Sequence, residues 1–562
     1  MASEKLWHKS YAPGVPYELE YDRTTMSRAL SRNAKKFPDN PALIYFGRVI
    51  SFRELDSLVD RFSKALAGIG IAPSDKVALI MPNVPQMTVA IYACYRTGAV
   101  AVPTNPLYTE TELEHQLNNS ESKAVVTLDL LQPRMSAVRD KTGVGHIIYC
   151  HINDYLPFPK KQIFPIAKKA MYRKVQPGDS MHEFVDLMGK YSAGDVEDKS
   201  EWDGLAALLF TGGTTGVSKG VMINHSHFSC NAQQFKAYMP ALEEGKERVL
   251  SIYPYFHSAG NFMLNSMIWC GWAAVLVPRP ETDIIVELFG KYRPTGMVGV
   301  PTIYTGLLNN KKFSALDFSK IKLFAAGAAP LLKDTIDRLR ALTNATILNT
   351  YGLTEATCLV AANPYGGVVV PGTIGLPIPD TDAKIVDVET GMNEMPVGES
   401  GELVIKAPQV MKGYYKNPEE TAQVLKNGWL HTGDIGVFNE AGNITIVDRK
   451  KDMIIASGFN IFPNEIDDVL FSHPKILEAC TIGVPDEYRG ETVKAYVVVR
   501  PGDSLTEQEV TDFCKDRLTA YKVPKQIVFI DAIPKSAVGK ILRRAMKDLD
   551  RELGKSASNS YK

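Results

Sequence analysis

Short apolar runs alternate with stretches of helical spacing over most of the chain. Val77–Met81 has no polar face and reads as a buried strand. Pro85, suited to a first helical turn, opens a helix predicted to reach about Arg96. Residues 99–103 (AVAVP) form a second strand-like run. Thr109 and Glu112 then have the spacing of a capping box for a helix to about Asn119, and Ala124–Leu128 is the next strand. Fully apolar strands separated by helices predict a parallel sheet covered on both faces.

The rhythm returns at Val249–Tyr253, Ala273–Val277, Met297–Val300, Lys322–Ala326 and Thr346–Asn349. Phe262–Val277 is the most apolar long stretch. It is shorter than the roughly 20 residues a spanning helix needs and reads as a buried helix-to-strand passage. From about Gly367 the texture becomes rich in Gly, Pro and β-formers, which predicts a small barrel or twisted sheet. Near Asp448–Asp452 a compact last unit begins. It is expected to hold a helix over 464–472, strands near 479–482 and 493–499, a helix over 506–518, a strand over 526–530, and a frayed final dozen residues. The expected fold is α/β: a large N-terminal domain (1–449) of parallel sheets flanked by helices plus a β-barrel-like subdomain, then a small α+β C-terminal domain (450–562).

The chain has 562 residues, enough for more than one domain, with 45% apolar and 22% charged residues. Lys+Arg and Asp+Glu are both 63, so no global field draws nucleic acid. Seven scattered cysteines lack a C-x-x-C pair, which argues against a zinc site and for a reducing compartment. The first residues, MASEKLWHKSYAPG, carry no apolar signal region. A cytoplasmic protein is the expectation, with monomer and homodimer both open.

Four segments carry candidate chemistry. In Leu208–Gly220 (LLFTGGTTGVSKG), an apolar strand runs into Thr211, Gly212, Gly213, Thr214, Thr215 and Gly216 and ends at Lys219. Glycines admit phosphate oxygens to backbone N–H groups, threonines add donors, and lysine adds a point charge. The spacing is not Walker A, since Ser218-Lys219-Gly220 stands where G-K-[ST] would fall. Alone, such a loop is as often only a turn.

In Asn349–Thr357 (NTYGLTEAT), hydroxyls and a carboxylate follow a strand. The carboxyl ends of parallel strands are where α/β folds bind ligands. Glu355 suits Mg²⁺, which prefers oxygen ligands, and Tyr351 can lie against an adenine. The same residues suit a plain helix start, with Thr354 capping. In Gly428–Gly436 and the segment after it, Asp434 can take ribose hydroxyls and Arg449 a sugar or phosphate, or the two can be a turn aspartate and an ion-paired arginine. The fourth segment, Pro534–Arg544 (PKSAVGKILRR), holds Lys540 in a Gly-led loop.

These four blocks, in this order, resemble the signature of the adenylate-forming superfamily, which includes acyl-CoA synthetases, firefly-type luciferases and the adenylation domains of peptide synthetases. The resemblance runs from about Ser27 to Arg544. Two loops depart from the family type: Gly212 and Ser218 stand for serine and proline, and Ser536 and Val538 for threonine and serine. The resemblance implies two half-reactions. A carboxylate attacks the α-phosphate of ATP to give acyl-AMP and pyrophosphate, and coenzyme A then displaces AMP.

It further implies that Thr211, Thr214, Thr215 and Lys219 hold the β- and γ-phosphates, and that Glu355, with Thr211 or a phosphate oxygen, holds Mg²⁺. Tyr351, beside Gly352 and Thr354, stacks on adenine, bordered by Gly327, Ala328 and Ala329. Asp434 and Arg449 bind ribose, and Lys540 bridges the carboxylate and the α-phosphate. The C-terminal domain is implied to be mobile, with Lys451 at its hinge. After rotation Ser457 and Gly458 help form the pantetheine tunnel. His257 falls beside the substrate carboxylate, where peptide-synthetase domains use aspartate to pair an amino group, so amino acids are disfavoured.

Residues 151–178 look like the insertion of long-chain fatty acyl-CoA synthetases. Six cations among apolar side chains there suit peripheral contact with a membrane, and equally an ordinary solvated surface. The stretch from His257 to Trp272 is mainly apolar and carries no arginine for a second carboxylate. The expectation is a medium- to long-chain fatty acid–CoA ligase. An aryl- or alicyclic-acid ligase and a silent ATP- or acyl-AMP-binding protein are the alternatives.

Overall fold

The computed structural model describes residues 5–176, 178–211, 218–327, 331, 333–456, 459–486, 488–536 and 541–559. By its internal contacts the chain divides into two compact units. One comprises Met1–Asp382 with Lys406–Leu430, the other Ala383–Ile405 with His431–Lys562.

The first unit is built on two large sheets. Among the described residues one has seven strands, in the order Met181–Glu183, His146–Cys150, Ser122–Leu128, Lys76–Ile80, Val100–Thr104, Leu205–Thr211, Lys219–Asn224. The apolar runs singled out in the sequence are its centre, and Lys76–Ile80 pairs parallel to strands on both sides. The connecting helices form for the expected reasons. Pro85 sits in the first turn of helix Pro85–Thr97, which ends on Gly98 at φ 74°. Thr109 and Glu112 complete a capping box on helix Glu110–Ser120.

The second sheet has nine strands. Its interior order is Thr346–Gly352, Leu323–Ala326, Gly296–Gly299, Arg248–Ser251, Ala273–Leu276, Pro41–Tyr45. These neighbours are all parallel. A core of Leu250, Val275, Phe289, Met297, Tyr304, Phe313 and Phe324 packs against it. Helix Ser258–Cys270 followed by strand Ala273–Leu276 realises the helix-to-strand passage, and twelve of the thirteen helix residues are buried.

The expectation of parallel sheets holds for their interiors and for the Met181–Glu183 edge, but the other margins are antiparallel. Strand Arg48–Ser51 folds back on Pro41–Tyr45, Lys219–Asn224 on Leu205–Thr211, and Leu359–Ala362 on Thr346–Gly352. Each return is too short to hold a crossover helix, which a parallel neighbour requires.

The Gly/Pro-rich region forms the expected barrel-like element, a five-stranded half-barrel. It contains Asp382–Val386, Gly401–Lys406, Trp429–Phe438 and Leu425–Lys426, with Ile444–Arg449 paired to Trp429–Phe438. By contacts, residues 383–405 belong with the C-terminal residues.

The C-terminal α+β part centres on the antiparallel pair Ile476–Asp486 and Gly490–Val499, with Gln526–Phe529 parallel to the latter. Helices Pro463–Phe471 and Glu507–Lys515 cover one face through Ile466, Leu470, Val510 and Cys514. The second helix ends before the expected Leu518. Where a frayed final dozen was expected, Arg543–Asn559 is helical, and residues 560–562 lie outside the described residues. Met546 and Leu549 pack on Ile482, Val484 and Tyr496, and Asp550 takes Lys494 Nζ and the Tyr496 hydroxyl at 2.5 Å each. A few buried side chains thus anchor a segment whose composition looks polar. No helix among the described residues is long and apolar enough to cross a membrane.

Candidate active site

In the first unit the candidate residues gather at the carboxyl ends of parallel strands. Tyr253, just past Arg248–Ser251, donates its hydroxyl to Gly299 O at 2.9 Å. Gly327 follows Leu323–Ala326, and a Cβ there would lie 3.1 Å from Thr350 Oγ1 and 3.2 Å from the Tyr253 hydroxyl. Tyr351, half-buried, pairs with Ala361 in the antiparallel return. Gly352 is obligatory, because a Cβ would meet Cys358 O at 1.6 Å. The close return at Gly352 turns the chain into the short 3-10 helix Thr354–Ala356, which carries Thr354 and Glu355. Ala328 and Ala329 lie outside the described residues.

Thr354 donates to Ser258 Oγ at 3.1 Å, which ties this turn to the start of helix Ser258–Cys270. His257 is the N-cap of that helix, and its Nδ1 accepts from Ala259 N at 3.2 Å. Gly260 lets the first turn lie against Pro254, where a Cβ would stand 2.0 Å from the carbonyl oxygen. The ring is therefore held by its cap bond at the mouth of an apolar helix.

Thr211 and Lys219 are register partners at the base of the Gly/Thr loop, and Ser218 Oγ bonds back to Thr211 O. Serine in place of the family's proline thus ties the loop base with a hydrogen bond. Gly212, Gly213, Thr214, Thr215 and Gly216 lie outside the described residues.

Two residues that the sequence reading passed over adjoin this group. Tyr414 donates its hydroxyl to Glu355 Oε1 at 2.8 Å, and Glu420 Oε2 lies 2.5 Å from Lys219 Nζ. Burial, with the charges of Glu355 and Glu420, raises the Tyr414 phenol well above its ordinary value, so it remains a donor. The available signal was a Gly-Tyr followed by an Asn-Pro helix start at Gly413–Pro418.

In the second unit Asp434 and Arg449 face one another across adjacent antiparallel strands, with Arg449 Nε 3.0 Å from Asp434 Oδ1. Asp434 is 4% exposed, and Gly433 just before it takes φ 71°. Lys451 is exposed in the turn after strand Ile444–Arg449. Ser457, Gly458 and Lys540 lie outside the described residues.

Among the described residues no group of three His, Cys, Asp or Glu forms a metal cluster. A single carboxylate still fits Mg²⁺, which takes one or two protein oxygens and completes its shell with water and phosphate. Glu355, with one oxygen engaged by Tyr414, is such a group.

In the first unit a strand-end tyrosine, glycines, a lysine and a carboxylate suit a nucleotide's base and phosphates, and in the second unit, taken by itself, the acid–arginine strand pair suits a sugar. The comparisons decide which family uses these groups. An AMP-binding enzyme family matches residues 30–415, and an AMP-binding enzyme C-terminal domain matches 465–540. The chain belongs to the AMP-binding enzyme family.

It is similar to a long-chain-fatty-acid–CoA ligase of Bacillus subtilis (strain 168), at 39% identity over 98% of this chain and 99% of that one. It is also similar to 4-coumarate–CoA ligase 2 of Nicotiana tabacum, at 33% identity over 94% of each. Among solved structures, ATP-bound MatB from Rhodopseudomonas palustris superposes with a TM-score of 0.82 at 29% identity, over 94% of this chain and 100% of that one. The AMP-binding family member described here is an AMP-forming ligase of the acyl-CoA synthetase class.

Proposed function

We propose that this ligase binds ATP and Mg²⁺, adenylates a monocarboxylic acid with an uncharged, apolar body, and transfers the acyl group to coenzyme A. The observation that carries the substrate reading is helix Ser258–Cys270, buried on almost every side, which begins at His257 and Ser258 beside Thr354. In the first step two anions meet, the carboxylate and the α-phosphate, so catalysis rests on positioning and on neutralising charge. Lys219 with Thr211, Thr214 and Thr215 holds the β- and γ-phosphates. Tyr351, with Gly327, Gly352 and Thr354 around it, holds adenine, and Asp434 and Arg449 hold the ribose. Lys540 bridges the carboxylate and the α-phosphate. Thr211 and Glu355 would hold Mg²⁺, which when bound neutralises phosphate charge. His257 lies beside the substrate carboxylate and offers no partner to an ammonium group.

Two readings of the acid's body have support. A fatty acid is supported by full-length relatives such as the Bacillus subtilis enzyme. An aryl acid is supported by the tobacco 4-coumarate enzyme, which also aligns along nearly the whole chain. Both place an apolar body along the stretch from His257 to Trp272, whose sequence holds no lysine or arginine. CoA-dependent AMP formation from acetate, octanoate, palmitate, benzoate and 4-coumarate separates them. Each buried CH₂ is worth about 0.8 kcal/mol, so a fatty-acid enzyme gains steeply in kcat/KM from acetate to octanoate. Benzoate or 4-coumarate as the best substrate establishes the aryl reading. A dicarboxylate preferred over all five sinks both.

The segment within 151–178 is proposed to rest on anionic lipid. No Asp or Glu lies between Asp154 and Asp179, while Lys160, Lys161, Lys168, Lys169, Arg173 and Lys174 do. Phe158 and Ile166 are 83% and 84% exposed. The segment is anchored at Asp129, which accepts from Arg173 N at 2.6 Å and lies 2.9 Å from His151 Nδ1. Burial opposes the charge on His151, but Asp129 and Glu183 outweigh it and push its pKa up to about 10. Co-sedimentation with phosphatidylglycerol vesicles, lost in Ile166→Glu and absent with phosphatidylcholine, is the expected result. Equal binding of both proteins to both vesicles would refute it.

A further inference from the structure

Among the described residues, the Lys219 ammonium finds its partners on a segment distant in sequence. It lies 2.5 Å from Glu420 Oε2 and 5.4 Å from the Tyr414 ring centroid, and the Tyr414 hydroxyl reaches Glu355 at 2.8 Å. A short chain of contacts, Glu420 to Lys219 to Tyr414 to Glu355, therefore joins the residue proposed for phosphate to the residue proposed for Mg²⁺.

The backbone builds this deliberately from distant sequence. Residues 412–415 run beside strand Lys219–Asn224, with Lys412 N to Met222 O at 3.1 Å, Met222 N to Gly413 O at 2.9 Å and Tyr415 N to Gly220 O at 2.7 Å. Gly413 sits at φ 142°, and a Cβ there would meet Thr421 Cγ2 at 2.8 Å. The chain then turns at Asn417, whose side chain caps helix Pro418–Val424 by accepting from Glu420 N at 3.2 Å. Glu420 is thereby fixed in the first helical turn, opposite Lys219. The pair is only partly covered, at 18% and 31% side-chain exposure. Water still reaches both groups, which weakens a pair of this kind.

We propose that Glu420 is an exchangeable counter-ion for Lys219, displaced by the β- and γ-phosphates of ATP or by pyrophosphate and restored when pyrophosphate leaves. This rests on the reading of Lys219 as a phosphate ligand. A polyphosphate carries several charges against the single charge of a carboxylate, so it wins the lysine. A weak pair makes that exchange easy in both directions. AMP has no group to compete for Lys219 and does not feel Glu420. The pair thus lowers the hold on triphosphate and pyrophosphate alike while leaving the hold on AMP untouched.

The test is calorimetric binding of ATP, pyrophosphate and AMP to the full chain and three variants. Glu420→Gln keeps size and the capped backbone but removes the charge. It should bind ATP and pyrophosphate about two- to fivefold more tightly, the range a pair of this exposure allows, with AMP unchanged. Lys219→Met should weaken ATP and leave AMP unchanged. In the double variant, Glu420→Gln should no longer affect ATP. If Lys219→Met leaves ATP binding intact, the phosphate reading of Lys219 fails. If Lys219→Met weakens ATP but Glu420→Gln weakens it too, leaves it unchanged, or tightens AMP equally, the counter-ion proposal fails while that reading stands.

Discussion

Two cation–carboxylate pairs, one in each unit, differ in nearly every respect. Lys219 and Glu420 are 201 residues apart, join a strand to a helix start, and are both partly open to water. Arg449 and Asp434 lie on adjacent strands in direct register, with the aspartate 4% exposed beneath an arginine side chain that is 36% exposed. Lysine is a point charge with rotatable donors, whereas arginine is a planar fork. On the proposal above, the first pair is exchanged for phosphate and the second keeps its shape. An enzyme that takes up triphosphate and releases pyrophosphate has use for both. One site must let go of its ligand, and another must present the same face to every nucleotide that passes.

The largest expected effect concerns a third cation. Lys540→Ala should slow acyl-AMP formation by about 10²–10³, because one donor to developing charge in a water-poor site is lost. It should spare thioester formation from supplied acyl-AMP and CoA, where a neutral thiol attacks an activated acyl group. Equal loss in both assays would make Lys540 structural and leave Lys219 as the site's working lysine.

Next is stability. Arg449→Met takes a charged hydrogen-bond partner from a buried aspartate and should cost about 2 kcal/mol. Lys219→Met and Glu420→Gln should each cost about 1 kcal/mol or less. Urea unfolding curves measure all three, and equal costs would erase the contrast between the pairs.

Acid should then act on the two units with opposite sign. In the first, burial lowers His225 and His227 from the ordinary 6.5 to about 4. Their contribution is fully present above 6.5 and is lost as pH falls through about 4. In the second, burial outweighs the Arg543 partner and raises Asp467 from 3.8 to about 6. Its contribution is fully present below 3.8 and is lost as pH rises through about 6. Unfolding followed by peptide-resolved hydrogen exchange between pH 4 and 6.5 should show the first unit weakening toward acid, with Asp467→Asn removing the opposing trend from the second. Parallel pH profiles of the two units, unchanged in Asp467→Asn, would contradict these assignments.

The smallest expected effect is at helix starts. Thr109 and Thr506 complete matching capping boxes with Glu112 and Glu509. Alanine at either should cost about 1 kcal/mol, read as a shift in thermal midpoint.

What could be read from the sequence was local. Buried strands, proline-led helix starts and capping boxes have periods and spacings of a few residues, so Lys76–Ile80, helix Pro85–Thr97 and the box at Thr109 stood where their patterns placed them. The four short blocks were enough to point to the family, which the family matches over 30–415 and 465–540 show. What escaped was long-range. The pairing of Glu420 with Lys219, and of Tyr414 with Glu355, has no expression in local pattern. The C-terminal helix was missed because Met546 and Leu549 anchor it within a run of charges. The antiparallel edges depend on which neighbour a strand finds, which its own residues do not state. The apolar character of helix Ser258–Cys270 was plain, yet whether its acid is aliphatic or aromatic is a matter of pocket shape that composition does not encode.

The most direct test of the exchangeable and fixed pairs is binding of ATP and AMP to Lys219→Met and Asp434→Asn, measured side by side by calorimetry. Lys219→Met should lose affinity for ATP and keep it for AMP. Asp434→Asn should weaken ATP and AMP by the same factor, because both carry the ribose. If both variants weaken both nucleotides equally, the two pairs have no separate roles and the account is wrong.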